Sequence, residues 1–460
     1  MPETAIRAPV GAFPLVSIPA AEWRATGRPG FPVALSVAIY AAPLIEALAL
    51  LNIQLAGWSL MQVARGLLLA FMLVGLVATR LPDAKACSLV VPIGLLSCYS
   101  VIPAAVAQVA PMLMLGNLMR LAYPAVVYLS TVSALGQRRI NLAWLRGAAW
   151  SVLALTIVGQ LATSRLGRTA IPGYEVALSG AALGPSVTAA ALLSIIPALL
   201  HSRAASRTGY VGLALCLAGI LATMRRSAII AATCGLAVYL TLGLLRRGLR
   251  LRVMSIAVTG GLVAVWFVSS TGIGDPLVKR FAEADIRSGR TASGRTVIWK
   301  ASVEYILQRR LLAQITGEGP LCAQVMLWRA VGARIGAHND WLEVALSMGY
   351  IGIFLHAWFY IRVLRLRSRM HHLNAGADLP CLAAGIALLV LGATSGGALD
   401  PTMAPTYVVF GYGAHELVTR LQSLKRQTCR ISTRRRPQTG PWRADSQQQG
   451  LQEPRQLADP

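Results

Sequence analysis

Acidic residues are scarce in this chain. Of its 460 residues only 18 are Asp or Glu, against 43 Lys or Arg, and charged residues of both signs make up 13%. That excludes the charged shell of an ordinary soluble domain. The seven cysteines (Cys87, Cys98, Cys216, Cys234, Cys322, Cys381 and Cys429) include no C-x-x-C and no Cys/His ligand spacing, so neither a zinc site nor a disulfide framework is indicated. There is no P-loop, no G-x-G-x-x-G opening a helix, no G-x-S-x-G and no H-E-x-x-H. The energy for any reaction must arrive with the substrate. No Asp-x-Asp occurs within 271–340, which argues against metal-dependent use of nucleotide sugars, and no metal or cofactor is expected. Residues 1–30 are polar and basic (Arg7, Arg24, Arg28) and lack a secretory signal pattern, so the first apolar stretch, from Phe31, is expected to stay as an anchor.

Apolar sequence is what the chain has in abundance: 55% hydrophobic residues and a mean hydropathy of +0.58. Runs long enough to cross a ~30 Å hydrocarbon layer fall near 31–52, 59–78, 88–110, 112–135, 142–162, 177–200, 209–224, 226–245, 252–270, 341–362, 379–398 and 403–419. The expected fold is all-α, a polytopic transmembrane bundle of about 12 spans with one external loop domain containing amphipathic helices. The formal charge of +25 is carried by clusters between alternate spans, at Arg138-Arg139, His201–Arg207, Arg246–Arg252 and Arg362–His372, and in the tail at Lys425-Arg426 and Arg434–Arg436. Such clusters orient helices against the cytoplasmic face, so membrane lipids rather than nucleic acid are the expected partner and both termini are expected in the cytoplasm. The organisation reads as a cytoplasmic segment (1–30), a bundle of about nine spans (31–270), an external catalytic loop (271–340), further spans (341–419) and a basic disordered tail (420–460).

Function concentrates on the external side. In the long loop Trp299, Val303, Ile306 and Leu307 recur at helical spacing opposite Lys300, Glu304 and Gln308, which predicts an amphipathic helix ended by the turn Gly317-Glu318-Gly319-Pro320. Ala337-His338-Asn339-Asp340 stands before the apolar run 341–362, and Asp340 with Glu343 has capping-box spacing. His338 would then sit at a helix N-terminus, where a neutral imidazole can act as base while the helix end receives an anion; an ordinary surface histidine is the competing reading. Arg295, in Ser293-Gly294-Arg295-Thr296, can offer a planar fork to a phosphate or snorkel to headgroups. Met224-Arg225-Arg226-Ser227 leaves only a tight turn between two spans, and arginines there run against the charge bias, pointing to a buried anion or to headgroup phosphates. Glu46 and Arg120 lie within spans as functional groups or structural pairs, and His356 reads as a hydrogen-bonded packing residue.

This order of motifs, the arginine turn, then Ser293-Gly294-Arg295-Thr296-Val297-Ile298-Trp299, Gly317-Glu318-Gly319, Ala337-His338-Asn339-Asp340-Trp341-Leu342-Glu343 and Met348-Gly349-Tyr350-Ile351-Gly352, resembles the O-antigen ligase and polymerase superfamily of bacterial envelope-polysaccharide enzymes. The resemblance covers roughly 220–360. It implies a metal-independent, multi-pass glycosyltransferase of the bacterial inner membrane that takes glycan from undecaprenyl diphosphate at the periplasmic face. The acceptor would be lipid A-core (ligase) or a lipid-linked repeat unit (polymerase, for O-antigen or exopolysaccharide), with a chain-length regulator as a possible partner. It assigns His338 and Arg295 as catalytic and Arg226, Arg225 and Asn339 as substrate-binding, with Arg226 matching the family arginine best. A transporter or flippase of lipid-linked saccharide is the alternative, and the peptidoglycan polymerases, which also use lipid-diphosphate donors, fit the loop pattern less well.

Overall fold

The computed structural model describes residues 33, 35–39, 53–55, 58–78, 84–137, 139–166, 185–201, 207–223, 225–245, 295–332, 335–373 and 377–435. Glu46, the span expected near 252–270, and 271–294 with Ser293 and Gly294 lie outside the described residues. A two-residue hairpin, β1 (Gln54–Leu55) against β2 (Trp58–Ser59), is the departure from an all-helical chain. It leads into α1 (Leu60–Val77), which starts on a capping box between Ser59 and Gln62. Then come α2 (Ala84–Cys87), α3 (Val91–Tyr99), α4 (Val101–Val106), α5 (Pro111–Gly136), α6 (Leu142–Leu166), α7 (Pro185–Leu199), α8 (Arg207–Ala222) and α9 (Arg226–Leu245). The loop side contributes α10 (Arg295–Gln308), α11 (Leu311–Thr316) and α12 (Cys322–Val331), and the chain continues with α13 (Asp340–His372), α14 (Asp378–Thr394), a 3-10 turn (Pro401–Met403) and α15 (Ala404–Arg435).

Among the described residues five helices (within α1, α5, α6, α9 and α13) are long and apolar enough to cross a membrane, and four shorter apolar ones accompany them. The chain is a multi-pass membrane protein. Three boundaries differ from expectation. The run 88–110 is broken at Ser100 because Pro103 has no N–H to return to Tyr99. The last helix extends to Arg435, past Ser423 into the stretch expected to be disordered, since Lys, Arg and Gln are good helix formers and no proline intervenes before Pro437. On α10 the buried positions are Ile298, Ser302 and Ile306, while Val303 and Leu307 of the expected apolar face are exposed. The turn Gly317–Pro320 ends the separate short helix α11 rather than α10.

Small residues let the membrane helices approach closely. A Cβ on Gly235 of α9 would lie 3.0 Å from the Ala383 carbonyl of α14, and one on Gly411 of α15 would lie 2.8 Å from Thr131 of α5. The bundle core is centred on Tyr123, Tyr128, Phe359, Tyr407 and Phe410, all buried. A second, smaller cluster (Ile298, Ile306, Met326, Leu327, Ala345 and Leu346 among others) fastens the loop helices to the first turns of α13.

Candidate active site at the start of α13

Asn339, not Asp340, caps α13: its Oδ1 accepts from Trp341 N at 2.9 Å and Leu342 N at 3.2 Å. The expected Asp340–Glu343 capping box therefore does not form, because both carboxylates are engaged elsewhere. Asp340, buried, accepts from Gly397 N and Ala398 N at 2.7 Å each, and Glu343 accepts from Ala337 N at 2.9 Å. Asn339 also donates from Nδ2 to the Ala393 carbonyl, 2.8 Å, near the end of α14. Between these fixed points His338 has a φ of 53°, a left-handed backbone that non-glycine residues seldom adopt. Its preceding residue is pinned twice, since the Ala337 carbonyl also accepts from Trp299 Nε1 at 3.0 Å. The imidazole is thus presented to solvent by a strained, over-determined turn.

Arg295 opens α10, and its Nη1 donates to the Thr394 carbonyl at the end of α14. The starts of α10 and α13 are therefore both tied to one helix end, which brings Arg295 to His338. Partial enclosure by protein and the positive charges of Arg295 and Arg225 lower the pKa of His338, so the imidazole is held neutral. Of the arginine pair, Arg225 is the one whose charge acts on His338; Arg226 is the first residue of α9, one position further on. His338, Asn339, Arg295 and Arg225 therefore gather at one place although more than a hundred residues separate the first arginine from the histidine. Of the turn expected at Met224–Ser227, Met224 lies outside the described residues; α8 ends at Ala222 and α9 begins at Arg226.

Behind this cluster α13 is interrupted at Gly349 (φ 63°, ψ −159°). A break leaves the carbonyls of the preceding turn without helical partners. Glu318 N donates to Leu346 O at 3.1 Å and Gly319 N to Ser347 O at 3.0 Å. The Arg309 guanidinium, buried, donates to Leu346 O at 2.9 Å and Ala345 O at 3.0 Å. The Gly317–Gly319 motif thus docks on the helix backbone. Gly317 has no room for a side chain, with a Cβ placed 2.3 Å from Ser347 O. Glu318 Oε2 accepts from Tyr305 Oη (2.8 Å) and Cys322 Sγ (3.2 Å). Burial and that carboxylate push the Cys322 thiol up to about 12, keeping it a protonated donor.

The O-antigen ligase family model matches residues 211–357. This region is similar to the O-antigen ligase family. No curated protein matches the chain. The matched region contains every residue of the cluster, the docking motif and the break in α13. Arg309 is a member of this architecture that the sequence does not announce, since a basic residue in Gln308-Arg309-Arg310 looks like any solvated pair. Thr394 and Ala393 were equally silent, because they contribute only backbone carbonyls. His356 differs from expectation: it packs edge-on against Trp341 (4.8 Å) and Tyr360 (5.2 Å), and neither ring nitrogen has a hydrogen-bond partner among the described residues.

Two cavities adjoin the matched region. One of about 660 Å³ lies between α10, α12 and the loop before α5, with Tyr305, Gln308 and Glu318 on its wall. The other, about 390 Å³, lies between α1, α5 and the first turns of α13 and is lined in part by Asp340 and Glu343. Among the described residues no group of three or more His, Cys, Asp or Glu side chains is arranged to hold a metal ion.

Proposed function

We propose that this protein is a glycosyltransferase of the O-antigen ligase or polymerase type, moving a glycan from undecaprenyl diphosphate to a saccharide acceptor at the periplasmic face. The observation that carries the reading is His338 beside Arg295 and Arg225, at the capped start of a helix inside the matched region. His338 takes the proton from an acceptor hydroxyl, and the freed oxygen attacks the anomeric carbon of the donor. The anomeric C–O bond breaks, and the electron pair leaves with the lipid diphosphate. Arg225 and Arg295, with Arg226 nearby, offset the charge that builds on the leaving group, an electrostatic contribution that needs no metal. Asn339 holds the helix end that faces this chemistry.

The test uses purified full-length protein, undecaprenyl-diphosphate-linked glycan and EDTA, with lipid A-core or further lipid-linked repeats as acceptor. Wild type is expected to form product, and His338→Ala to lose about 10²–10⁴-fold in turnover, the usual range for a general base. The productive acceptor distinguishes ligase from polymerase. Movement of the lipid-linked glycan across liposomes without transfer to either acceptor would overturn this reading in favour of a transporter.

A further inference from the structure

Arg120 belongs to α5 and lines the 390 Å³ cavity, a volume within the ~300–1,000 Å³ of small-ligand pockets. Five guanidinium donors inside a helical bundle normally find acceptors. Among the described residues Arg120 donates no hydrogen bond, and its buried Nε has no partner. Asp340, a carboxylate in electrostatic reach of Arg120, already spends its oxygens on Gly397 N and Ala398 N. Other groups on the wall share this condition. The Asn117 and Gln324 amides make no side-chain hydrogen bond among the described residues, and Gln62 uses only its Oε1, on Ser59. Glu343, also on the wall, engages Oε2 on Ala337 N, and its Oε1 accepts no hydrogen bond among the described residues.

The wall therefore offers donors (Arg120, the amide N–H groups) and acceptors (Glu343, the amide oxygens) interspersed with apolar side chains such as Met61, Leu113 and Met348. A phosphate would meet two carboxylates there, whereas sugar hydroxyls both accept and donate and a pyranose presents C–H faces to the apolar portions. Asp340 and Glu343 are on the first turn of α13, the helix end that carries His338. We infer that this cavity is the acceptor-saccharide subsite, with Arg120 and Asn117 as its anchoring residues. The saccharide chemistry follows from the wall; the acceptor role rests on the transfer reading above.

Binding is measured apart from turnover, with the full chain in nanodiscs and three labelled probes. These are core oligosaccharide and repeat-unit oligosaccharide, both freed of lipid, and undecaprenyl diphosphate. Wild type is expected to bind one of the saccharides. Arg120→Ala and Asn117→Ala weaken that binding at least tenfold and leave undecaprenyl diphosphate binding unchanged, which also reports that the variants are folded. Gln324→Ala, on the exposed loop helix α12, weakens it several-fold should the α5 variants fail to fold, and Arg295→Ala produces the opposite pattern. Wild type that binds neither saccharide, or Arg120, Asn117 and Gln324 variants that bind as wild type does, would overturn the inference. Saccharide binding that depends on these residues in a protein that transfers nothing would keep the subsite and refute the transferase.

Discussion

The break in α13 can be tested by giving Gly349 a side chain. Gly349→Ala puts a Cβ 2.3 Å from Ile315 O and 2.6 Å from Gln314 O, well inside contact distance and against backbone that cannot rotate away. The φ/ψ pair itself is one that essentially only glycine occupies, a cost of about 1–3 kcal/mol for another residue. Relief requires α11 to move off α13, which pulls apart Glu318 N···Leu346 O and Gly319 N···Ser347 O. Each buried group left unpaired adds about 1–3 kcal/mol. The total is on the order of 3–6 kcal/mol, enough to detach the loop helices and too local to dissolve the bundle, whose core lies elsewhere. Hydrogen exchange in nanodiscs should show 311–319 losing protection by 10²-fold or more (~1.4 kcal/mol per factor of ten), while α9 and α14 keep theirs. Transfer activity should fall with it. A Gly349→Ala protein with wild-type protection in 311–319 and wild-type turnover would refute the reasoning.

Three further outcomes are expected. The His338 pKa lies below its ordinary value of ~6.5, so between the two values the unfolded chain binds the proton that the folded chain refuses. Its share of stability is complete above about pH 6.5 and is lost as pH falls through the folded value. In a pH–rate profile the acidic limb should accordingly lie below pH 6.5, and Arg295→Gln should move it up; a limb that stays in place would remove Arg295 from the vicinity of the base. Asn339→Ala removes a cap worth about 1 kcal/mol and orphans the Ala393 carbonyl, so turnover should drop while undecaprenyl diphosphate still binds, and an unchanged turnover would argue against helix-end positioning. His356→Phe replaces a buried imidazole that has no hydrogen-bond partner among the described residues by a ring of similar shape, so thermal unfolding should be unchanged or shifted upward; a large downward shift would mean that the imidazole is hydrogen-bonded after all.

Much of this architecture could be read from residue order, and the parts that could not have a physical cause. Long apolar runs declare membrane helices because the bilayer leaves the backbone few alternatives. The arginine turn, Arg295 and His338 stand out in the sequence through their order, and the fold brings Arg225 and Arg295 into electrostatic reach of His338. The cap was misread because Asn339 and Asp340 are both competent caps, and only the demand of Gly397 and Ala398 for a carboxylate decides between them. The interruption of α13 was invisible within a continuous apolar run, where one glycine is ordinary. Arg309 escaped for the complementary reason: its partners are peptide carbonyls of another helix, and no side-chain pattern records a peptide carbonyl. Which arginine of Arg225-Arg226 faces the histidine is a matter of helix phase, fixed where α9 begins.

The polar part of the joint between the loop helices and α13 ends on main-chain carbonyls, since Glu318 N, Gly319 N and the Arg309 guanidinium all donate to carbonyls of α13. A carbonyl acceptor is the same whatever side chain its residue carries. Exposed positions of these helices, such as Val303, Leu307, Leu311 and Leu312, take no part in those hydrogen bonds, so substitutions there are expected to leave the loop helices seated on α13.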